Sequence, residues 1–242
     1  MTKTLFAINP ALDRPALAAR FAAKRRVQVR DVLTSEAART LRGVLERETP
    51  WGFAYKGAGE PTRLTEDQVR SLSAEARREI ANDVQQTAAS RGYAVRFNQY
   101  PILDAYLAQR QPGGPHDILL EHLNDAPFLD LAREVTRIPE LRKADAQATL
   151  FAPGDFLSLH NDSHKVEGWR VAYVLNLADD DWSPDWGGYL NFFDEDGDIV
   201  AGWRPRFNVL NLFAVPQPHH VSYVPPFAGR SRLAITGWLR DR

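Results

Sequence analysis

The chain has no cysteine among its 242 residues. That excludes disulfides, thiolate metal sites and a cysteine nucleophile. Any metal must be held by histidine, carboxylate, backbone oxygen or water. Charge imbalance is also missing, since 30 basic and 31 acidic side chains leave a formal net charge of −1. Such a balance makes no global electrostatic case for nucleic acid or a membrane surface as partner. No apolar run reaches the roughly 18 residues that a membrane-spanning helix needs. The opening stretch, MTKTLFAINPALDRPALAARFAAKRR, is broken by prolines and an aspartate where a secretory signal needs continuous apolar sequence. It is expected to belong to a mature cytoplasmic protein.

What is present is the composition of an ordinary folded chain, 44% apolar and 25% charged. The length suits a single domain over 1–242, with a mostly helical part at 1–140 supporting a core at 146–240. Thr34 or Ser35 can cap a helix whose apolar positions Ala37, Ala38, Leu41, Val44 and Leu45 recur at helical spacing. Thr65 to Gln68 fits a capping box, and Ser73 opens another helix expected to stop near Gly92. NDAPFLDLAREVTRI reads as a further helix, with Asn124 or Asp125 as cap and Pro127 in its first turn. Arg20 to Arg30 reads as the polar side of a helix followed by an edge strand. Arg96 to Tyr106 reads as sheet, and QRQPGGPHD as a mobile flap.

From about Ala146 the texture changes to short β-rich runs separated by Pro, Gly, Asp and Asn: QATLFA, DFLSLH, RVAYVLNL, GYLNFF, FNVLNLF, HHVSYV and RLAITGWL. This is the signature of an antiparallel sandwich or jelly roll. The fold class expected is mainly β with flanking α-helices, around a jelly roll core of about eight strands. The long acidic loop NLADDDWSPDWGG sits where such loops often cover a binding mouth.

One stretch asks for chemistry. LFAPGDFLSLHND, Leu150 to Asp162, delivers a histidine, a spacer and an aspartate at a strand end. On a strand, His160 and Asp162 would share a face. The pair can be a hydrogen-bonded surface couple or half of a metal site. Among six histidines, a doublet at His219 and His220 heads a late strand. Two imidazoles and a carboxylate on one face of an octahedron suit non-haem Fe(II) and leave three positions open. In SRLAITGWLR, alternation sends Leu233, Ile235 and Leu239 to one face and Arg232, Ala234, Thr236 and Trp238 to the other. An interior arginine is costly unless an anion meets it. A guanidinium can grip a carboxylate through two parallel hydrogen bonds, and Thr236 can add a hydroxyl.

The ordered set Pro153-Gly154-Asp155-Phe156, His160-Asn161-Asp162, RVAYVLNL, Gly187-Gly188-Tyr189, PRFNVLNLF, HHVSYV and RLAITGWL resembles the prolyl-4-hydroxylase-like branch of the Fe(II)/2-oxoglutarate dioxygenases. The resemblance implies a double-stranded β-helix core flanked by helices, and metal ligation by His160, Asp162 and His219, with His219 preferred to His220 because it stands one spacer before Val221. It implies Arg232 as the anchor for the far carboxylate of 2-oxoglutarate, with Arg230 as runner-up, and leaves open whether Tyr173 or Asn176 also touches that cosubstrate. The implied cofactors are Fe(II) and 2-oxoglutarate, with ascorbate as a candidate reductant. The implied reaction uses O2 to hydroxylate a C–H bond, releasing succinate and CO2. The expected substrate is a prolyl residue of a protein or peptide. The alternatives are a free amino acid or small metabolite, or a non-catalytic jelly roll that binds a carboxylate. Oligomeric state is left open.

Blander roles attach to the remaining candidates. His164 reads as a solvated loop residue or part of the substrate mouth, and His116 and His122 as structural or exposed. Trp182 and Trp186 either pack the acidic loop down or line a groove. Asp179 to Asp181 read as a solvated turn.

Overall fold

The computed structural model describes residues 4–162 and 167–242. His164 lies outside the described residues, as do the first three residues of the opening stretch. In chain order the helices are α1 (Arg14–Lys24), α2 (Ser35–Arg47), α3 (Glu66–Ser71), α4 (Ala74–Ala89), α5 (Ile102–Leu107), α6 (Pro115–Asn124) and α7 (Ala126–Thr136). The first-half strands are β1 (Arg26–Arg30), β2 (Gly52–Lys56), β3 (Thr62–Leu64) and β4 (Val95–Tyr100). Then follow β5 (Lys143–Ala144), β6 (Gln147–Phe151), β7 (Phe156–His160), β8 (Trp169–Asn176), β9 (Leu190–Phe193), β10 (Ile199–Trp203), β11 (Val209–Ala214), β12 (His219–Val221) and β13 (Arg232–Arg240).

The helix boundaries follow local capping chemistry. The Thr34 hydroxyl accepts from the Ala37 amide, Thr65 and Gln68 form a reciprocal capping box, and Ser73 accepts from Ala76. Each satisfies amides that the first turn leaves without a partner. Two expectations of the first half are corrected. Sheet ends at Tyr100, and Ile102–Leu107 is a helix, because Pro101 has no amide to donate to a ladder and serves instead as the cap before it. The stretch QRQPGGPHD begins as the loop between α5 and α6, but its last three residues, Pro115 to Asp117, already belong to α6, and the Gly113 amide donates to Asp117.

The strands form one curled antiparallel sheet, a half-barrel of the jelly-roll kind, ordered β1-β11-β8-β13-β6-β4-β7-β12-β9-β10. Strands β6 and β7 flank the Pro153-Gly154 turn, yet they do not pair with each other. Strand β4 pairs with both, taking Leu150 opposite Asn98 and Phe156 opposite Arg96. First-half strands therefore complete the sheet that second-half strands begin.

The outer face of the sheet carries the main core. Leu233, Ile235 and Leu239 of β13 pack there with Leu41, Leu45, Leu123 and Leu131 from the helices. Each such buried side chain contributes roughly 1.5–3 kcal/mol. Strand parity then turns Arg232, Thr236 and Trp238 to the inner face, where they line a cavity of about 300 Å³. The acidic loop is packed down: Trp182 is fully buried and its indole donates to the Gly187 carbonyl. Asp179 is no free turn residue, since it pairs with Arg42 of α2 at 2.6 Å and with Arg230 at 2.9 Å.

Candidate metal centre and carboxylate pocket

Strands β7 and β12 pair so that His219 stands directly opposite His160, with ring centroids 4.1 Å apart. Directly opposed residues on one face are the closest neighbours a sheet offers. Each imidazole is fixed by its own chain. His160 Nδ1 lies 2.9 Å from the Ser158 carbonyl and His219 Nδ1 lies 2.8 Å from the Gln217 carbonyl. A carbonyl can only accept, so each Nδ1 carries the proton and each Nε2 presents a lone pair.

Both lone pairs face one carboxylate. His160 Nε2 is 3.4 Å from Asp162 Oδ1, and His219 Nε2 is 3.5 Å from Asp162 Oδ2. Asp162 lies past the end of β7 with a φ of 54°, so a left-handed turn, rather than strand alternation, returns its carboxylate to the histidines. The candidate ligand atoms of the three residues all lie within 4.8 Å of one another. Two lone pairs turned toward an anion are repulsive unless a cation sits among them, and the donor set fits Fe(II).

The electrostatics favour the ligating protonation states. Burial, and then the neighbouring His160, push the His219 imidazole down to about 4, against the pull of Asp162. Burial works to raise Asp162. The neighbouring His160 and His219 side chains outweigh it and hold the carboxyl below its ordinary value. At neutral pH this is a neutral imidazole beside an ionised carboxylate.

Arg232 lies in the same cavity and is 2% exposed. Its Nε and Nη2 donate to Asn176 Oδ1 at 3.4 and 3.3 Å, and the guanidinium lies over the Phe151 ring at 5.3 Å. Nη1 is buried and has no hydrogen-bond partner. Burial lowers the Arg232 pKa to about 10, so the group stays charged. A buried cation with an unmet donor fits a carboxylate. Gly188 has a φ of 65°, and a Cβ built there would stand 3.6 Å from Arg232 Cδ. Only glycine adopts that backbone readily while the loop packs so close to the arginine.

Several residues are now placed. Thr236 lines the cavity with Arg232. Arg230 is half exposed and paired with Asp179 and Asp181, outside the cavity lining. Tyr173 lines the cavity but donates its hydroxyl at 2.6 Å to the Asp145 carbonyl, whereas Asn176 touches Arg232. His220 Nε2 meets Asn191 Nδ2 at 2.9 Å, away from the other two imidazoles. His116 is buried against the Thr49 hydroxyl at 2.9 Å, and His122 lies near Asp125 on the surface. Sequence reasoning did not single out Tyr93, whose ring lies 6.2 Å from that of His160, or Trp169, which stacks at 4.0 Å on the inward-facing Trp238. No local pattern announces them, because each reaches the cavity from a different strand or loop.

Comparison with known proteins finds one superfamily for the second half of the chain. Residues 146–240 match the model of the 2OG-Fe(II) oxygenase superfamily. No curated protein matches the chain. Among solved structures, a prolyl-4-hydroxylase from Pseudomonas putida is 22% identical, with a TM-score of 0.58 over 95% of this chain and 99% of that one. A 2OG-Fe(II) oxygenase family oxidoreductase from Burkholderia pseudomallei is 12% identical, with a TM-score of 0.60 over 100% and 97%. A prolyl hydroxylase from Trichoplax adhaerens, in complex with a hypoxia inducible factor peptide fragment, is 16% identical, with a TM-score of 0.60 over 94% and 89%. At these identities the structures establish a shared fold. The superfamily match covers residues 146–240, the part of the chain that carries His160, Asp162, His219 and Arg232.

Proposed function

We propose that this 2OG-Fe(II) oxygenase domain hydroxylates a C–H bond of a prolyl residue in a protein or peptide, with His160, Asp162 and His219 holding Fe(II) and Arg232 holding 2-oxoglutarate. The observation that carries the assignment is the buried, unpartnered Nη1 of Arg232 in the same cavity as three convergent ligand atoms. When bound, the iron and 2-oxoglutarate supply an oxidative decarboxylation that uses O2, yields succinate and CO2, and hydroxylates the substrate. The chain's own residues set the geometry. The Ser158 and Gln217 carbonyls keep both Nε2 atoms deprotonated and aimed inward. Asn176 holds the guanidinium with Nη1 unpartnered, so that Nη1 would be free to take the far carboxylate of 2-oxoglutarate, with Thr236 lining the same cavity. Phe151, Leu190, Phe213 and Val221 make the surrounding wall apolar and exclude water.

Support for a peptide comes from the mouth. The cavity wall continues through Tyr55 and Tyr93 to the surface, where Tyr93 is 42% exposed. An aromatic trough open to solvent suits a chain passing across it. A prolyl hydroxylase of the same fold has been solved with a peptide fragment. The deciding experiment measures succinate release with ascorbate present, across prolyl peptide pools and small-molecule pools, and records product mass. A gain of one oxygen on a prolyl peptide supports the reading. Turnover confined to free amino acids or other metabolites overturns it.

A further inference from the structure

A second group of arginines lies outside the cavity. Arg26, Gln28 and Arg30 share one face of the edge strand β1. Arg30 stands opposite Val209, and the linker before Val209 carries Arg204 and Arg206. That linker is clamped to the segment after β1. Val32 donates to the Asn208 carbonyl at 3.2 Å, Leu33 donates to Asn208 Oδ1 at 2.9 Å, and Asn208 Nδ2 returns a bond to the Leu33 carbonyl at 2.8 Å. Arg204 is set by its Nη1 bond to the Trp182 carbonyl at 3.0 Å.

These three cations have no counter-charge among the described residues. None of Arg30, Arg204 and Arg206 forms an ion pair with a carboxylate among the described residues, and the Nε of both Arg204 and Arg206 is buried without a partner. Acids are not scarce in this chain: Arg42 and Arg230, on neighbouring segments, both have aspartate partners. Burial, and then the charges of Arg204 and Arg30, press the Arg206 pKa below its ordinary value. Like charges held together and partly desolvated cost stability unless an anion offsets them.

We propose that Arg30, Arg204 and Arg206 form a binding site for a phosphate-type oxyanion, free phosphate or a phosphomonoester. Guanidinium groups match a tetrahedral oxyanion through paired N–H donors, and three of them can surround its oxygens. The site is separate from the carboxylate pocket, because none of the three lines the cavity that holds Arg232.

The test is calorimetric titration of inorganic phosphate into the whole protein at fixed pH and ionic strength, with Mn(II) and saturating 2-oxoglutarate present. The expected result is saturable binding that falls at least tenfold in the Arg204→Gln/Arg206→Gln double variant and is unchanged in Arg230→Gln. Absence of saturable binding overturns the site, and so does equal affinity in a double variant that keeps the wild-type melting temperature. Phosphate that binds without 2-oxoglutarate but is displaced by it also overturns the site, because the ion then occupies the carboxylate pocket. If the double variant does not fold, Arg30→Gln carries the test: its side chain is exposed, a several-fold loss is expected, and unchanged affinity counts against the site. A parallel titration with O-phosphoserine separates the sources, since tighter binding of the ester assigns the site to phosphomonoesters and tighter binding of the free ion assigns it to phosphate.

Discussion

Asn176 and Arg232 form a buried pair in which one amide oxygen accepts from two guanidinium nitrogens, at 3.3 and 3.4 Å, leaving Nη1 facing the cavity. Asn176 ends β8 opposite Ala234, so it lies diagonally across from Arg232. The amide orients the cation without neutralising it. Asn176→Asp would neutralise it, and should lower 2-oxoglutarate affinity by about tenfold or more, since a carboxylate would take the place of the cosubstrate's own. Calorimetry with Mn(II) in place of Fe(II) checks this, and unchanged affinity would separate Asn176 from the anchor.

Removing the cation itself should do more. Loss of a charge-assisted bidentate contact predicts that Arg232→Ala weakens 2-oxoglutarate binding on the order of 100-fold, with metal affinity retained. Arg232→Lys should rescue only partly, because an ammonium lacks the planar fork. Arg230→Ala should leave the affinity near wild type, because Arg230 is engaged by Asp179 and Asp181. The opposite ranking in the same titration would move the anchor to Arg230.

At the metal centre, Asp162→Ala leaves two imidazoles without the carboxylate that both face. It should abolish metal-dependent decarboxylation of 2-oxoglutarate, as should a chelator in the wild type, with activity restored by Fe(II) in the second case alone. Metal binding should raise the melting temperature of the wild type and not of Asp162→Ala, since a ligand that binds the folded state stabilises it by mass action. Wild-type turnover in the alanine variant would show that the triad is misassigned.

Asp155, in the turn between β6 and β7, predicts a pH dependence of stability. Burial pushes its carboxyl up to about 6, and outweighs the Ala152 amide, Arg96 at 3.1 Å and Asn98, all of which favour the charged form. The folded protein then holds a proton that the unfolded chain has released between about pH 4 and pH 6. Stability should be greatest below that window, fall as pH rises through it, and level off above, by no more than about 3 kcal/mol. Urea unfolding at pH 4.5 and pH 7 measures this component as the difference between the wild type and Asp155→Asn. An identical pH dependence in the two proteins would remove Asp155 as its source.

The β-rich run from Ala146, the helix caps at Thr34, Thr65 and Ser73, and the inner and outer faces of β13 were legible because each is written in neighbouring residues. The types of group at His160, Asp162, His219 and Arg232 were legible for the same reason, as was their order along the chain. Strands β2 and β3 went unread, and β4 was read as running on past Tyr100. They are short, and what makes them strands is a partner far away in sequence, as when β4 pairs with both β6 and β7. Strand parity also gave the wrong mechanism for Asp162, which reaches the histidines through a left-handed turn.

By itself, then, the sequence determined which chemical groups exist, their spacing, and the face of a strand on which each stands, because periodicity and capping are local. Only the tertiary structure decided that His219 stands opposite His160, that Asn176 rather than Tyr173 meets Arg232, and that Asp179 and Asp181 occupy Arg230. It also decided that Arg30, Arg204 and Arg206 share no acid among the described residues. Each of these depends on cross-strand register and on which polar groups remain unmatched after every other group has found its partner, and both are properties of the whole folded chain.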